Sequence, residues 1–302
     1  MDEHKKDGLG TVEGYLAALR DAFGNADRAL VQDALYDAEE YLRAEVASRP
    51  GQDEAAVLRE IVGSYGAPAE VAAAYLQTEV TVQRALKTPR PAPRSSALGA
   101  FFGVFADPRS YGALFYMLFA MLTGIFYFVW AVAGSAISLA MMIMIFGIPL
   151  LVLFLASVRM FSLLEGRLVE VLLGVRMPRR PLYPQSTPLL ARIGALLKDR
   201  RTWSTLLDMV LMMPLGILYF TVALVGVVVP VAMVAAPVVG VLFGDIGGHD
   251  GTWFRIDDQA MRWPETLILA PLGILGLTLT LHLVRGIGRL HGQVARALLV
   301  EA

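Results

Sequence analysis

The sequence predicts an all-α protein. A small cytoplasmic helical domain (1–86) and a basic, proline-rich linker (87–106) lead into a four-helix transmembrane unit (107–302). Three observations predict it. Of the 302 residues 56% are hydrophobic and only 18% charged, against about 45–50% and about 25% in an ordinary soluble chain. Most carboxylates fall before Leu98, whereas beyond Tyr111 the chain breaks into long uncharged runs. No alternating strand pattern appears in the N-terminal part. The chain has no cysteine, which excludes disulfides, thiolate metal sites and cysteine nucleophiles. The opening Met1-Asp2-Glu3-His4-Lys5-Lys6 lacks an apolar core, so no cleavable signal peptide is expected there.

The N-terminal part reads as four short helices. Tyr15, Leu16, Leu19 and Phe23 recur at helical spacing and stop at Gly24-Asn25. A second helix begins near Asn25 or Asp27, with Leu30, Ala34, Leu35, Tyr41 and Leu42 on one side and Asp33, Asp37, Glu39, Glu40 and Glu45 on the other. Arg49-Pro50-Gly51 ends it, because proline cannot continue the ladder. Asp53 suits the N-cap of a third helix carrying Val57, Ile61 and Val62. In Tyr65-Gly66-Ala67-Pro68 the glycine suits a helix end and Pro68 the first turn of the next helix, which buries Val71, Ala72, Tyr75 and Leu76.

The segments Tyr15-Leu16-x-x-Leu19, Asp37-Ala38-Glu39-Glu40-Tyr41-Leu42 and Tyr65-Gly66-Ala67-Pro68-Ala69-Glu70-Val71-Ala72 resemble the HAAS signalling domain. The likeness covers about Gly14 to Glu79. It departs at Tyr65, where a leucine is usual, and at Leu42, where the family often has histidine. The resemblance implies a helical, membrane-associated module placed before transmembrane segments and commonly encoded beside PadR-type repressors.

The linker, with Lys87, Pro89, Arg90, Pro91, Pro93 and Arg94, is expected to lie extended near the membrane surface. Spans follow from length, since about twenty apolar residues cross the hydrocarbon core. Leu114 to Ala133 and Leu139 to Val158 qualify, with a tight turn expected at Gly134-Ser135; Leu206 to Val227 and Thr266 to Val284 are their counterparts. Two readings stay open for the apolar piece from Pro230 to Phe243: an extension of the third span, or a segment at the outer interface.

An internal repeat is the most informative feature. Asp107-Pro108-Arg109-Ser110-Tyr111 and Asp199-Arg200-Arg201-Thr202-Trp203 each open a span, and Tyr111 stands from Gly124 as Trp203 stands from Gly216. The closing segments Arg159 to Leu173 and Arg285 to Leu299 also align. The repeats therefore run over 107–175 and 199–300. Each ends in an amphipathic helix: Phe161, Leu164, Leu168 and Leu172 oppose Glu165, Arg167 and Glu170, and Ile287, Leu290, Val294 and Leu298 oppose Arg289, Gln293 and Arg296. Positive charge sets the orientation. The loop from Arg159 to Trp203 holds nine basic residues, including Arg176, Arg179, Arg180 and Arg192, against Glu165, Glu170 and Asp199. The loop after Phe243 is acidic, with Asp245, Asp250, Asp257, Asp258 and Glu265. Both termini and the central loop are expected in the cytoplasm, and the HAAS resemblance implies a bacterial inner membrane.

This part resembles the sensor domain found at the N-terminus of many actinobacterial-type histidine kinases. The residues that carry the likeness are Gly147-Ile148-Pro149-Leu150, Leu164-Glu165-Gly166-Arg167, Pro214-Leu215-Gly216-Ile217 with Tyr219-Phe220, and Pro264-Glu265-Thr266-Leu267. Only Glu301-Ala302 follows the helix that leads into a kinase elsewhere, so output is expected through the N-terminal domain, the inner loops or a separate polypeptide.

Chemistry-bearing residues are few. The histidines His4, His249, His282 and His291 form no metal-binding pair at helical spacing. Asp245, His249, Asp250, Asp257 and Asp258 could gather round a cation, but read better as a solvated acidic loop. No cofactor motif or catalytic constellation appears, and no enzyme is expected. Asp208, one turn inside the third span, is expected to reach Arg201 or Arg285 at the membrane surface; with His282, Arg159 and Arg285 it is a candidate for coupling a signal across the bundle. Asp37, Glu40 and Glu45 form a candidate docking stripe, either for a basic cytoplasmic regulator such as a PadR-type repressor or, folded back, for Arg176, Arg179 and Arg180. The expected role is a non-enzymatic membrane sensor that binds lipid and a regulatory protein, able to self-associate and without direct nucleic-acid contact. The alternative is a permease-like or accessory subunit of an ABC-type exporter.

Overall fold

A computed structural model describes residues 10–86, 96–143, 147–179, 194, 197–243, 252–256, 259–262 and 267–299. Lys87, Arg90, Arg94, Arg180, Arg192, His4 and the acidic-loop residues Asp245, His249, Asp250, Asp257, Asp258 and Glu265 lie outside them. The architecture is all-helical, apart from one two-stranded hairpin, and contains four helices long and apolar enough to cross a membrane.

The N-terminal helices are α1 (Val12–Phe23), α2 (Arg28–Ser48), α3 (Glu54–Tyr65) and α4 (Pro68–Leu86). Their ends follow from local chemistry. Thr11 and Asp27 cap α1 and α2 by accepting from the backbone N–H of Gly14 and Ala29. Gly66, at φ 110°, turns the chain out of α3 in a conformation costly for any residue with a Cβ. Tyr15 donates to its carbonyl at 2.9 Å, pinning α1 to that turn. Leu19, Leu42 and Leu58 are fully buried, and each such side chain contributes about 1.5–3 kcal/mol. Leu76, expected in this core, is instead 37% exposed; the buried residues of that face are Val71, Ala72 and Glu79.

A short helix, α5 (Ala97–Phe102), and a 3-10 turn (Gly103–Ala106) lead into the apolar bundle of α6 (Pro108–Met141), α7 (Gly147–Leu168, prolonged by a π turn over Val169–Leu173), α8 (Arg200–Phe243) and α9 (Leu269–Leu299). The turn expected at Gly134-Ser135 is absent. Helix α6 runs through it to Met141, and the ring of Phe154 packs where a Gly134 side chain would stand. The glycine serves close packing there, and lipid offers no water to compete for its backbone hydrogen bonds. The apolar piece after Pro230 extends the third span to Phe243. Beyond it, Thr252–Ile256 (β1) and Gln259–Arg262 (β2) pair antiparallel, Thr252 opposite Arg262 and Ile256 opposite Gln259.

Helices α6 and α8 cross where Gly124 meets the Met212 carbonyl and Gly216 meets the Ala120 carbonyl. A side chain at either glycine would collide with backbone. Pro230, having no N–H, leaves the Gly226 carbonyl without its helical donor, and Thr280 of α9 donates to that oxygen at 2.8 Å.

The amphipathic ends pack through mixed faces. On α7 Glu165 and Gly166 are buried while Leu164 is 49% exposed; on α9 Gly288, His291, Gly292 and Ala295 are buried while Leu290 and Val294 face outward. Phe161, Leu168, Leu172 and Ile287 also pack against the core, so small, polar and apolar residues share the helix contacts.

Candidate functional site

At the end of the bundle that carries the N-terminal helices, six contacts come in three pairs. Arg159 binds Asp199 at 2.9 Å, and Arg285 binds Asp107 at 2.8 Å. Each aspartate also caps its helix, accepting from Arg201 N and Arg109 N respectively. Tyr111 donates to the Phe105 carbonyl, and Trp203 to the Leu197 carbonyl. Both aromatics are about half exposed, as amphipathic rings at a lipid–water boundary would be.

One level deeper, side chains from all four long helices converge. Tyr116 Oη lies 2.6 Å from Glu165 Oε1 and 2.6 Å from His291 Nε2, while His291 Nδ1 lies 3.2 Å from Tyr219 Oη. Tyr127 Oη and Glu165 Oε2 have no hydrogen-bond partner among the described residues. Asp208 stands within electrostatic reach of Tyr116, Tyr219 and Glu165. Glu165, Asp208 and His291 are 2%, 6% and 3% exposed. Asp208 does not turn outward as expected: Arg285 is taken by Asp107, and Arg201 donates to Gln32 and to the Leu299 carbonyl.

The second constellation joins the N-terminal helices to the bundle. Arg176, just after the π turn, donates to both oxygens of Glu79 at 2.8 Å and to Asp33 at 3.0 Å. Asp33 also accepts from the Arg179 backbone at 2.6 Å. All three side chains of the central triad are about a tenth exposed or less. Glu170, hydrogen-bonded at 2.9 Å, raises Arg179 above the ordinary guanidinium range against the opposing effect of burial. Arg201 donates to Gln32 and Arg296 binds Asp27 at 2.9 Å, extending the seam. A cleft of about 50 Å³ runs along it, between Gln32, Arg159, Asp199 and Thr202.

The docking stripe expected on α2 is placed differently. Asp37 accepts from Tyr75 at 2.9 Å, Glu45 pairs with Arg49 at 3.5 Å, and Glu40 is exposed. Asp33, one turn earlier on α2, makes the bundle contact instead. His282 is on α9, 2.9 Å from the Phe101 carbonyl and stacked on that ring. Sequence reasoning missed Glu165 and His291 as a pair, although the two closing segments align them position for position.

A family model described as "Putative sensor" matches residues 116–299, more than half of the chain. The matched stretch contains every member of the buried polar cluster and Arg176, but none of the N-terminal helices. No curated protein matches the chain, and no solved structure does.

Proposed function

The chain belongs to the Sensor family, and on that premise we propose that it is a non-enzymatic signalling protein of a bacterial cytoplasmic membrane, with both ends of the chain inside. The bundle, built as two repeated halves, receives the signal, and the HAAS-like N-terminal helices are its output. The contact at Arg176 carries the reading. One guanidinium at the end of a span binds two carboxylates on different N-terminal helices. A shift or rotation of α7 would lengthen both bonds together, so span geometry and domain docking are linked. In the docked state Glu40 remains exposed and Glu45 half-exposed. They offer acidic contacts to a cytoplasmic regulator with a basic surface, of which a PadR-type repressor is the candidate implied by the HAAS resemblance. The paired contacts Arg159–Asp199 and Arg285–Asp107 support the two-repeat reading, because equivalent residues exchange partners between halves.

The test uses the full chain in nanodiscs, with spin labels at E40C and R289C; no native cysteine interferes. A single narrow distance distribution is expected, broadening to longer distances in R176Q. An unchanged distribution in R176Q would remove the basis for the switch.

A further inference from the structure

The buried chain Glu165–Tyr116–His291–Tyr219 is constrained by a simple count. Tyr116 has one hydroxyl proton, yet its oxygen lies 2.6 Å from both an acidic and a basic atom. It can donate to one neighbour only and must accept from the other. Two arrangements satisfy the same heavy-atom positions. In the first, Glu165 is ionised, Tyr116 donates to Oε1, His291 Nε2–H donates to Tyr116, and Nδ1 accepts from Tyr219. In the second, Glu165 is protonated and donates to Tyr116, Tyr116 donates to Nε2, and Nδ1–H donates to Tyr219. The imidazole is neutral in both, as an interior with scarce compensating charge favours. The two arrangements differ by one proton.

We propose that this cluster is a binding site for a single proton, and that occupancy reverses the direction of every hydrogen bond in it. The balance closes along the chain. A proton taken up at Tyr219 Oη releases the Tyr219 proton to Nδ1, Nε2 passes its own to Tyr116, and the Tyr116 proton arrives on Glu165. No bond between heavy atoms changes.

Features around the chain fit this use. The groups facing it are Tyr116 and Tyr127 from α6, Glu165 from α7, Asp208 and Tyr219 from α8, and His291 from α9. That set contains two carboxylates and one weak base, with no lysine or arginine. Holding both carboxylates ionised would leave uncompensated charge among apolar helices, so a bound proton relieves the site. Tyr127 Oη and Glu165 Oε2 are unpartnered together, which leaves a donor in reserve for the ionised form. The residues next to two members of the cluster touch the segment that contains Arg176: Met177 packs on Gly166, beside Glu165, and Val175 packs on Gly292, beside His291. The proposal deepens the sensor reading and rests on it only for the consequence, since proton binding is read at the site itself.

The experiment follows the ring nitrogens of ¹⁵N-labelled His291, in the full chain in nanodiscs, from about pH 8 to about pH 5, the range in which histidine sites respond. The ring should stay neutral while its N–H moves from Nε2 to Nδ1, and a carboxylic-acid C=O band should rise in the infrared difference spectrum. E165Q, close in shape to the native side chain, should lose both changes; D208N, which removes the second negative charge, should keep both and move them to lower pH. A single tautomer throughout, a doubly protonated ring, or changes that survive E165Q and vanish in D208N would overturn the site. Because docking is measured separately through Arg176, loss of one proposal leaves the other standing.

Discussion

Arg176 and Asp33 meet at 3.0 Å across the junction between the N-terminal helices and the bundle, with side chains only 10% and 8% exposed. Glu79 completes the triad from a second helix and Arg179 supplies a backbone donor, so Asp33 is held from two sides. Neither carboxylate is solvated enough to lose its partner cheaply.

Removing Arg176 should therefore detach the N-terminal helices without unfolding them. Breaking a buried pair from one side costs about 3–5 kcal/mol, and R176Q should raise protease cleavage in the 87–106 linker by a large factor. E40K, at an exposed position, should leave cleavage unchanged; equal effects would mean that general charge, and not this contact, holds the domain.

The crossing of α6 and α8 predicts two matched defects. G124A and G216A each push a Cβ into opposing backbone and should each destabilise the bundle by about 1–3 kcal/mol. G286A, where a Cβ meets nothing within 4 Å, should be neutral or slightly stabilising. Thermal melting in detergent reads all three, and a marked difference between the two crossing glycines would argue against a two-fold relation.

Single cysteines give the topology cleanly, since none is native. Labels at position 180 and at 302 should be shielded from an external impermeant maleimide, and one at 248 should react. Labelling at 180 from outside would invert the arrangement.

The N-terminal helices carry an alkaline sensitivity. Burial raises Tyr15 well above its ordinary range, with smaller contributions from Tyr65 and Glu70. The folded tyrosine thus holds its proton where the unfolded one, titrating near about 10, releases it. Its contribution is complete below that value and declines as pH rises beyond it. Urea unfolding reported by a fluorophore at E40C should weaken above about pH 10. Y15F should lose about 0.5–1.5 kcal/mol at neutral pH and show a shallower alkaline decline.

The helical class and the four spans were legible because length and hydropathy alone determine them. Gly24, Asp27, Gly66 and Pro68 marked helix ends through their own backbone chemistry, and those ends stand where these residues placed them. The apolar stripes of α7 and α9 do not by themselves say which residues face inward, because in lipid an apolar side chain has no reason to leave its surroundings. Leu164 and Leu290 lie outside, and Glu165 and His291 inside. The Gly134-Ser135 turn is absent because the glycine there admits the ring of Phe154 and the helix continues through it. Asp33 could not be singled out from the acidic row on α2, since its role depends on Arg176, 143 positions away.

Helices α7 and α8 differ greatly in reach. With its π turn, α7 covers 27 residues, and α8 covers 44; at about 1.5 Å per residue they extend about 40 Å and about 66 Å. A hydrocarbon layer about 30 Å thick cannot match both. The longer helix leans, bends at Pro214, Pro230 or Pro237, each of which lacks a backbone donor, or projects beyond the layer. To the extent that α8 leans, a thinner bilayer would increase that lean for α8 far more than for α7, and would so change the angle between the helix bearing Tyr219 and the helix bearing Glu165.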